Sequence, residues 1–440
     1  MRKMIKTFWG TLWRIVFLLF LIIFSIEGVL RLYHFIIGEV IDDNLQNLQL
    51  IEHSNDDPFL QYTSLRNFQG RLSYSEPGQR FEVITNKDGF RTHEFYAKKA
   101  GNYRILLLGD SFVFGVNANQ NETIAVLLEE GLKKKLHKNF EVFSLGVASY
   151  SGVRYAMLIK QYLSQLDPDM VIVAVDQSDL EEDVDRINHY LLDQNGYPII
   201  LKKSEKLMQE RGKHRIVIDD EGHLRVEKRE RNWRLDLRLS YSLVNIAYRW
   251  TDWIVHKALI REAIAINTKD QSENIIRYED LVSKFGKDLS QILPRRLQVD
   301  TIAYDLDTAE ERYEPTLRCL QYIKTATAAH GTKMILTTYP YPWMVSVQES
   351  LPYQLKGLGH IYDFRTNRVH PDLIDRYAKK IGVIHLNAYP IFENQPPHLY
   401  CQYDPHFNGR GYARYAEFLT SSLLEIIKRD EIKKEIAGGN

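Results

Sequence analysis

Aliphatic runs and helical repeats alternate along two stretches of the chain. Residues 105–108 are four aliphatic residues with no polar interruption, which predicts a strand buried on both faces or a short buried helical segment. Ile124, Leu127, Leu128, Leu132 and Leu136 then recur with helical period, predicting a helix over 123–136. A second strand is predicted over 141–145, a helix over 155–166 closed by Asp167-Pro168, and a third strand over 170–175. Strand, helix, strand, helix, strand at this spacing predicts an α/β fold with a doubly wound parallel sheet. The pattern resumes with a helix over 309–329 that starts or kinks near Pro315. A strand over 333–338, a helix over 371–380, a strand over 383–386 and a closing helix over 412–427 follow. Between residues 59 and 92, short apolar runs broken by Gly70, Pro77-Gly78 and Asp88-Gly89 predict hairpins.

The remaining segments divide the chain. Residues 15–26 are apolar except for Ser25, follow Arg2, Lys3, Lys6 and Arg14, and precede Glu27 and Arg31. The apolar character runs to Ile37, long enough to span a bilayer, with the basic flank on the cytoplasmic side. No small-residue cleavage site follows, so a retained signal anchor is expected over 1–37. The expected location is the bacterial inner or cytoplasmic membrane, single-pass, with the catalytic domain extracytoplasmic (periplasmic). A polar stalk is expected over 38–60, the first half of the domain with its hairpins over 61–185, an inserted subdomain over 186–306, the second half over 307–428 and a charged tail over 429–440. Within the insertion, 215–218 and 223–226 predict a hairpin, with a short strand at 197–200 beside it. Leu239, Leu243, Ile246, Ala247, Trp250 and Ile254 predict an amphipathic helix. That helix is a lid, a partner surface, a membrane-facing element or part of a small packed subdomain.

Two polar stretches carry candidate chemistry. Residues 103–115 read YRILLLGDSFVFG. Gly109 and Asp110 stop the strand and put Ser111 at a sharp turn, with backbone N–H groups in front of it. That setting suits a nucleophile; it also suits plain helix capping by Asp110 and Ser111. Residues 404–415 read DPHFNGRGYARY, and an Asp-x-His in a polar turn supplies a base and its orienter. Ser111, His406 and Asp404 together are the parts of a nucleophile–base–orienter set.

On these residues the chain resembles the SGNH/GDSL hydrolase family. Gly109-Asp110-Ser111 resembles the nucleophile block. Asp404-Pro405-His406-Phe407-Asn408 with Gly411 resembles the last block. Residues 86–91, ending in Arg91, resemble the lead-in of membrane-anchored members related to polysaccharide O-acetyltransferases and acetylesterases. The resemblance covers roughly residues 55–185 and 307–428. It implies an SGNH hydrolase-like, flavodoxin-like sheet and a Ser–His–Asp mechanism through an acyl-enzyme. Gly146, a strand-end glycine whose N–H can approach an oxyanion, resembles the second-block glycine. The third block departs: Ser178 stands where the family has Asn, and Asp176 where it has Gly. Ser178, or Gln177 in its place, is then the expected third oxyanion donor. Asp110, Asp179, Tyr339, Tyr341, Trp343, Asn408 and Arg91 are the remaining candidates for the substrate side. The aromatic loop is expected either to stack on a sugar or to serve as a rigid loop.

Composition narrows this little. The 440 residues carry 57 basic and 57 acidic side chains, so no strong basic balance points to nucleic acid. Two cysteines, Cys319 and Cys401, either bridge or stay as free thiols. No cofactor and no metal cluster is expected. The expected function is a serine-dependent esterase or O-acyltransferase acting on acetyl (small acyl) esters of an extracytoplasmic polysaccharide. The alternatives are a catalytically weak carbohydrate-binding or scaffold component of a membrane polysaccharide-modification complex, and an acyl-relay partner of a multi-span membrane acyltransferase. Expected partners are an acylated sugar, the membrane and, on the acyl-relay alternative, such an acyltransferase.

Overall fold

A computed structural model of the chain describes residues 51–53, 57–72, 76, 79–202, 214–218, 224–228, 275–287, 289, 293, 304–358, 360–393 and 398–438. The chain forms two units, Met1–Gln46 with Lys203–Ile260, and Asn47–Lys202 with Arg261–Asn440.

The second unit begins with two antiparallel pairs. β1 (Ile51–His53), inside the stretch read as a stalk, pairs with β2 (Tyr62–Ser64), and β3 (Gln69–Leu72) pairs with β4 (Phe81–Ile84). β5 (Tyr103–Leu108), α1 (Ser111–Phe114), α2 (Ile124–Leu136), β6 (Phe140–Ser144), α3 (Gly152–Leu166), β7 (Met170–Val175) and α4 (Gln177–Arg186) follow. β8 (Tyr190–Leu192) pairs antiparallel with β9 (Pro198–Leu201). In the first unit, the described residues are one hairpin, β10 (His214–Ile218) with β11 (Leu224–Lys228). The second unit resumes with β12 (Ile275–Arg277), α5 (Tyr278–Phe285), α6 (Leu306–Arg312), α7 (Glu314–His330) and β13 (Lys333–Thr338). It ends with β14 (Ile361–Asp363), α8 (Val369–Ile381), β15 (Ile384–Asn387), α9 (Tyr389–Phe392) and α10 (Gly409–Gly438).

Five parallel strands form the central sheet, in the order β15-β13-β7-β5-β6. β7 and residues 105–108 of β5 are wholly buried, so these strands are continuous apolar runs rather than alternating ones. α2 packs on α10, and α3 on α7. Pro315 sits in the first turn of α7, where its missing N–H costs no helical bond; the single predicted helix is therefore two, α6 and α7. From β5 the chain steps to β6 on one side and then to β7 on the other. The strand order thus reverses at β5 and β7, and such a reversal opens a crevice at the carboxyl ends of the two strands.

Three expectations are corrected here. The fold is a mixed α/β fold with parallel and antiparallel sheets, not a doubly wound parallel sheet with an anchor. Antiparallel pairing is local at β1–β4, β8–β9 and β10–β11, where short connections favour hairpins. The strand at 197–200 pairs with β8 and not with the hairpin after it. The membrane anchor is withdrawn: among the described residues no helix is long and apolar enough to cross a membrane. Residues 1–37, on which that expectation rested, lie outside the described residues. The single-pass topology, the periplasmic location and the membrane partners go with it. The amphipathic segment 239–261 also lies outside the described residues.

At the start of β5, Arg104 is fully buried. Its Nε donates to Glu141 Oε2 at 2.8 Å and its Nη1 to the Leu166 carbonyl at 2.6 Å, while the guanidinium lies 4.9 Å from the Phe143 ring centroid. Removing one member of such a buried pair strands the other charge. Arg104→Ala is expected to lose about 3–5 kcal/mol in urea unfolding. Adding Glu141→Gln should cost much less than its own single loss, which a double-mutant cycle measures.

Candidate active site

One half of the site is the turn after β5, and the other is the loop between α9 and α10. After β5, Asp110 caps α1, its Oδ1 accepting the Phe112 N–H at 2.9 Å, and Gly115 ends the helix with φ of 88°. Two glycines permit this tight turn. A Cβ on Gly109 would lie 2.2 Å from Val113 Cγ2, and one on Gly146 would lie 2.5 Å from Phe114 N. Arg91 is buried and braces the turn from behind. Its guanidinium donates to the carbonyls of Gly115 at 2.7 Å, Ala118 at 2.8 Å and Glu82 at 2.5 Å, and to Gln120 Oε1 at 2.9 Å.

The second loop is closed by a bridge between Tyr400 and Phe407 and by the Cys401 N–H donating to the His406 carbonyl at 2.9 Å. The Glu349 carboxylate accepts the Leu399 and Tyr400 N–H groups at 2.9 and 3.3 Å. Ser350 Oγ donates to the carbonyls of Cys401 and Asp404 at 2.7 and 3.1 Å. Glu76 accepts the Tyr403 N–H at 2.8 Å. Phe407, fully buried, packs on Phe112 with centroids 5.0 Å apart and stacks on Phe392 at 5.0 Å. His406 itself rests on Phe112 at 4.6 Å. The residue after Ser111 and the residue after His406 therefore share one aromatic cluster, which joins the loops.

At that junction Ser111 Oγ lies 2.7 Å from His406 Nε2. His406 Nδ1 is hydrogen-bonded to Asp404 Oδ1, which also accepts the His406 N–H at 2.9 Å. Asn117 Nδ2 is 3.4 Å from the same oxygen. Ser111 is half-buried, and the His406 and Asp404 side chains are 17% and 19% exposed. Burial works against a charged imidazole, but Asp404 first, then Asp110 and Asp176, outweigh it and hold His406 above its ordinary value.

Behind Ser111 lies an acidic cluster. Asp110, Asp176 and Asp179 are buried and present carboxylate oxygens within 4.8 Å of one another. Asp110 Oδ2 accepts from Ser111 Oγ at 3.2 Å, and its Oδ1 from the Tyr339 hydroxyl at 3.1 Å. Asp176 Oδ1 accepts from the Tyr341 hydroxyl, the Ser178 N–H and the Ser178 hydroxyl, each at 2.7 Å. Asp179 accepts from the Tyr155 hydroxyl at 2.9 Å and the Asp176 N–H at 3.0 Å. Burial, with the Asp176 charge next, pushes Asp110 up to about 7. Burial likewise raises Asp176 and Asp179.

The other candidates have different surroundings. The Gly146 N–H faces Ser144 Oγ at 3.4 Å. Gln177 is fully buried, its Nε2 donating to Met344 Sδ at 2.7 Å and the Tyr389 hydroxyl at 2.9 Å. The hydroxyls of Tyr339, Tyr341 and Ser178 are all spent on the acidic cluster. Trp343 is buried against Tyr341 and Tyr353. Asn408 caps α10, accepting the Arg410 and Gly411 N–H groups at 2.9 and 3.2 Å. Arg91 and Asn408 thus serve the backbone around the site, and the aromatic residues fill the space beneath it. Cys319 and Cys401 are free, buried thiols. Asn117, with φ of 63°, and the brace residues Glu76, Glu349 and Ser350 carried no signal beyond turn composition; Asp176 was visible only as an acid where the resemblance has glycine.

No family model matches the chain, and no curated protein matches it. Solved structures resemble it distantly. The psychrotrophic esterase EstA from Pseudoalteromonas sp. is 8% identical, with TM-score 0.33, covering 74% of this chain and 98% of its own. A lipolytic protein of the G-D-S-L family from Desulfitobacterium hafniense is 11% identical, with TM-score 0.32 and coverages of 73% and 99%. A GDSL-like lipase from Bacteroides thetaiotaomicron is 11% identical, with TM-score 0.31 and coverages of 73% and 88%. The chain has a low-identity structural likeness to esterases, lipases and acylhydrolases. The narrower resemblance to membrane-anchored members related to polysaccharide O-acetyltransferases is corrected to this distant one. Likeness at such TM-scores is too loose to locate a site; the distances above define it.

Asp404→Asn removes the charge that does most to raise His406. Its imidazole value should fall, read from the His406 Cε1–H resonance in an NMR pH titration.

Proposed function

We propose that the protein is a serine-dependent acyl-ester enzyme. The observation that carries this reading is the 2.7 Å contact between Ser111 Oγ and His406 Nε2, with Asp404 on the other ring nitrogen. Ser111 Oγ attacks an ester carbonyl as His406 takes its proton. His406 then protonates the departing alcohol oxygen, leaving Ser111 acylated, while Asp404 holds the tautomer and supports the imidazolium. Water, deprotonated by the same imidazole, completes hydrolysis; an alcohol in its place completes acyl transfer. The Ser111 amide is the proposed oxyanion donor, joined by the Gly146 amide once it leaves its long 3.4 Å bond to Ser144 Oγ. The Ser178 hydroxyl and the Gln177 amide are already engaged. One missing oxyanion donor costs about 3 kcal/mol, so turnover is expected to be slow. The same engagement favours, as a second reading, a catalytically weak protein that binds acyl esters without turning them over.

A fluorophosphonate probe should label Ser111 in the wild type and not in Ser111→Ala, and p-nitrophenyl acetate hydrolysis should vanish in that variant. A folded wild-type protein that takes no label refutes the enzyme reading and leaves the second. Because His406 must be neutral to act as base and its value is raised, kcat/KM should climb with pH, with a midpoint above the ordinary imidazole value of about 6.5.

A further inference from the structure

Asp110 follows β5 and Asp176 follows β7, the two strands at which the sheet order reverses, and Asp179 lies in the first turn of α4. Asp110 is 4% exposed; Asp176 and Asp179 are not exposed at all. Each presents a carboxylate oxygen within 4.8 Å of the other two. Their hydrogen-bond donors are serine and tyrosine hydroxyls and backbone N–H groups, all neutral. Among the described residues, no Lys or Arg donates to them. These bonds also leave acceptors over. Asp176 takes three donors on Oδ1, and Asp179 takes two on Oδ2. Asp176 Oδ2 and Asp179 Oδ1 are buried and have no hydrogen-bond partner among the described residues. A buried acceptor without a donor is costly, and native structures seldom leave one.

We propose that Asp110, Asp176 and Asp179 form a binding site for a hard divalent cation, Ca²⁺, where β5 and β7 end. The donor set is all oxygen, with no His or Cys, which selects Ca²⁺ or Mg²⁺ over zinc or copper. Oxygens on opposite sides of one Ca²⁺ lie about 4.6–5.2 Å apart, and a spread of 4.8 Å matches that reach. Mg²⁺ is smaller and keeps several of its waters, which suits so closed a site less. The cation gives the two spare oxygens a partner, offsets charge that neutral donors leave uncompensated, and ties the cap of α1 to the cap of α4. This site goes beyond the acyl-ester reading and does not rest on it. It does adjoin the triad: Ser111 Oγ is 3.2 Å from Asp110 Oδ2 and 2.7 Å from His406 Nε2.

The test uses the full chain, stripped with EDTA and dialysed free of metal. Ca²⁺ added at constant ionic strength should raise the melting temperature saturably, and calorimetric titration should show one Ca²⁺ bound per chain at this site. Asp179→Asn keeps an acceptor for Tyr155 and for the Asp176 N–H but removes a charged ligand, and should weaken Ca²⁺ binding about tenfold or more. Mn²⁺ takes the same oxygen ligands and should broaden the His406 Cε1–H resonance of the wild type, which locates the ion even where Asp179→Asn does not fold. A stripped protein that binds no Ca²⁺ and melts at the same temperature with and without it overturns the proposal, because protons then balance the three carboxyls. Full Ca²⁺ affinity in a folded Asp179→Asn overturns it too, as does a His406 resonance that stays sharp in Mn²⁺, since the ion then sits elsewhere. None of these readouts uses catalysis, so a failure of the acyl-ester reading leaves them standing.

Discussion

The site depends on one aromatic cluster that fastens two distant loops together. Ser111 and His406 are 295 residues apart in sequence, and neither loop would hold a 2.7 Å contact unaided. Phe112 and Phe407, next in sequence to Ser111 and His406, pack on one another and on Tyr339 and Phe392. Burying several large rings at close centroid distances brings both area-dependent stabilisation and a preferred geometry. Tyr339, Tyr400, Tyr412 and Tyr415 are fully buried around the junction. Tyr412 donates to the Val116 carbonyl at 2.7 Å, and Tyr400 to the Pro340 carbonyl at 2.6 Å. Tyr400 and Tyr412 contribute apolar area while their hydroxyls satisfy backbone acceptors that burial would otherwise strand.

Polar groups do the opposite work on the same loops. The loop that carries Asp404 and His406 has few regular backbone bonds of its own, so Glu349, Ser350 and Glu76 supply partners for its N–H and carbonyl groups. Arg91 does the same for the turn after α1. A buried guanidinium aimed at several carbonyls fixes a loop in a way that a flexible ammonium does not. Residues that look like substrate binders by type are therefore backbone braces by contact.

Beneath these loops the sheet concentrates negative charge where two strands end. Three buried carboxylates are costly unless hydrogen-bonded or protonated, and the tyrosine and serine hydroxyls around them meet part of that cost. Such local conflict between burial and charge is what functional sites tolerate and plain cores avoid.

Sequence by itself located the elements that flank the site. Uninterrupted aliphatic runs mark strands buried on both faces, and the 3.6-residue repeat marks α2, whose observed span, Ile124–Leu136, differs from the expected one by a single residue. It also singled out Ser111, in a turn after a buried strand, and Asp404 and His406, as an Asp-x-His in a polar turn before a helix. It misjudged what depends on long-range pairing, the partner of the strand at 197–200, while the hairpins of β3–β4 and β10–β11 and the helix start near Pro315 are as expected. An apolar run near the chain start reads as an anchor on hydropathy alone, and nothing among the described residues has that character. Only the tertiary structure decided which polar side chains were free and which were spent. Hydroxyl and amide groups have the same composition whether they face a cleft or a buried carboxylate, so their partners follow from packing and not from residue type.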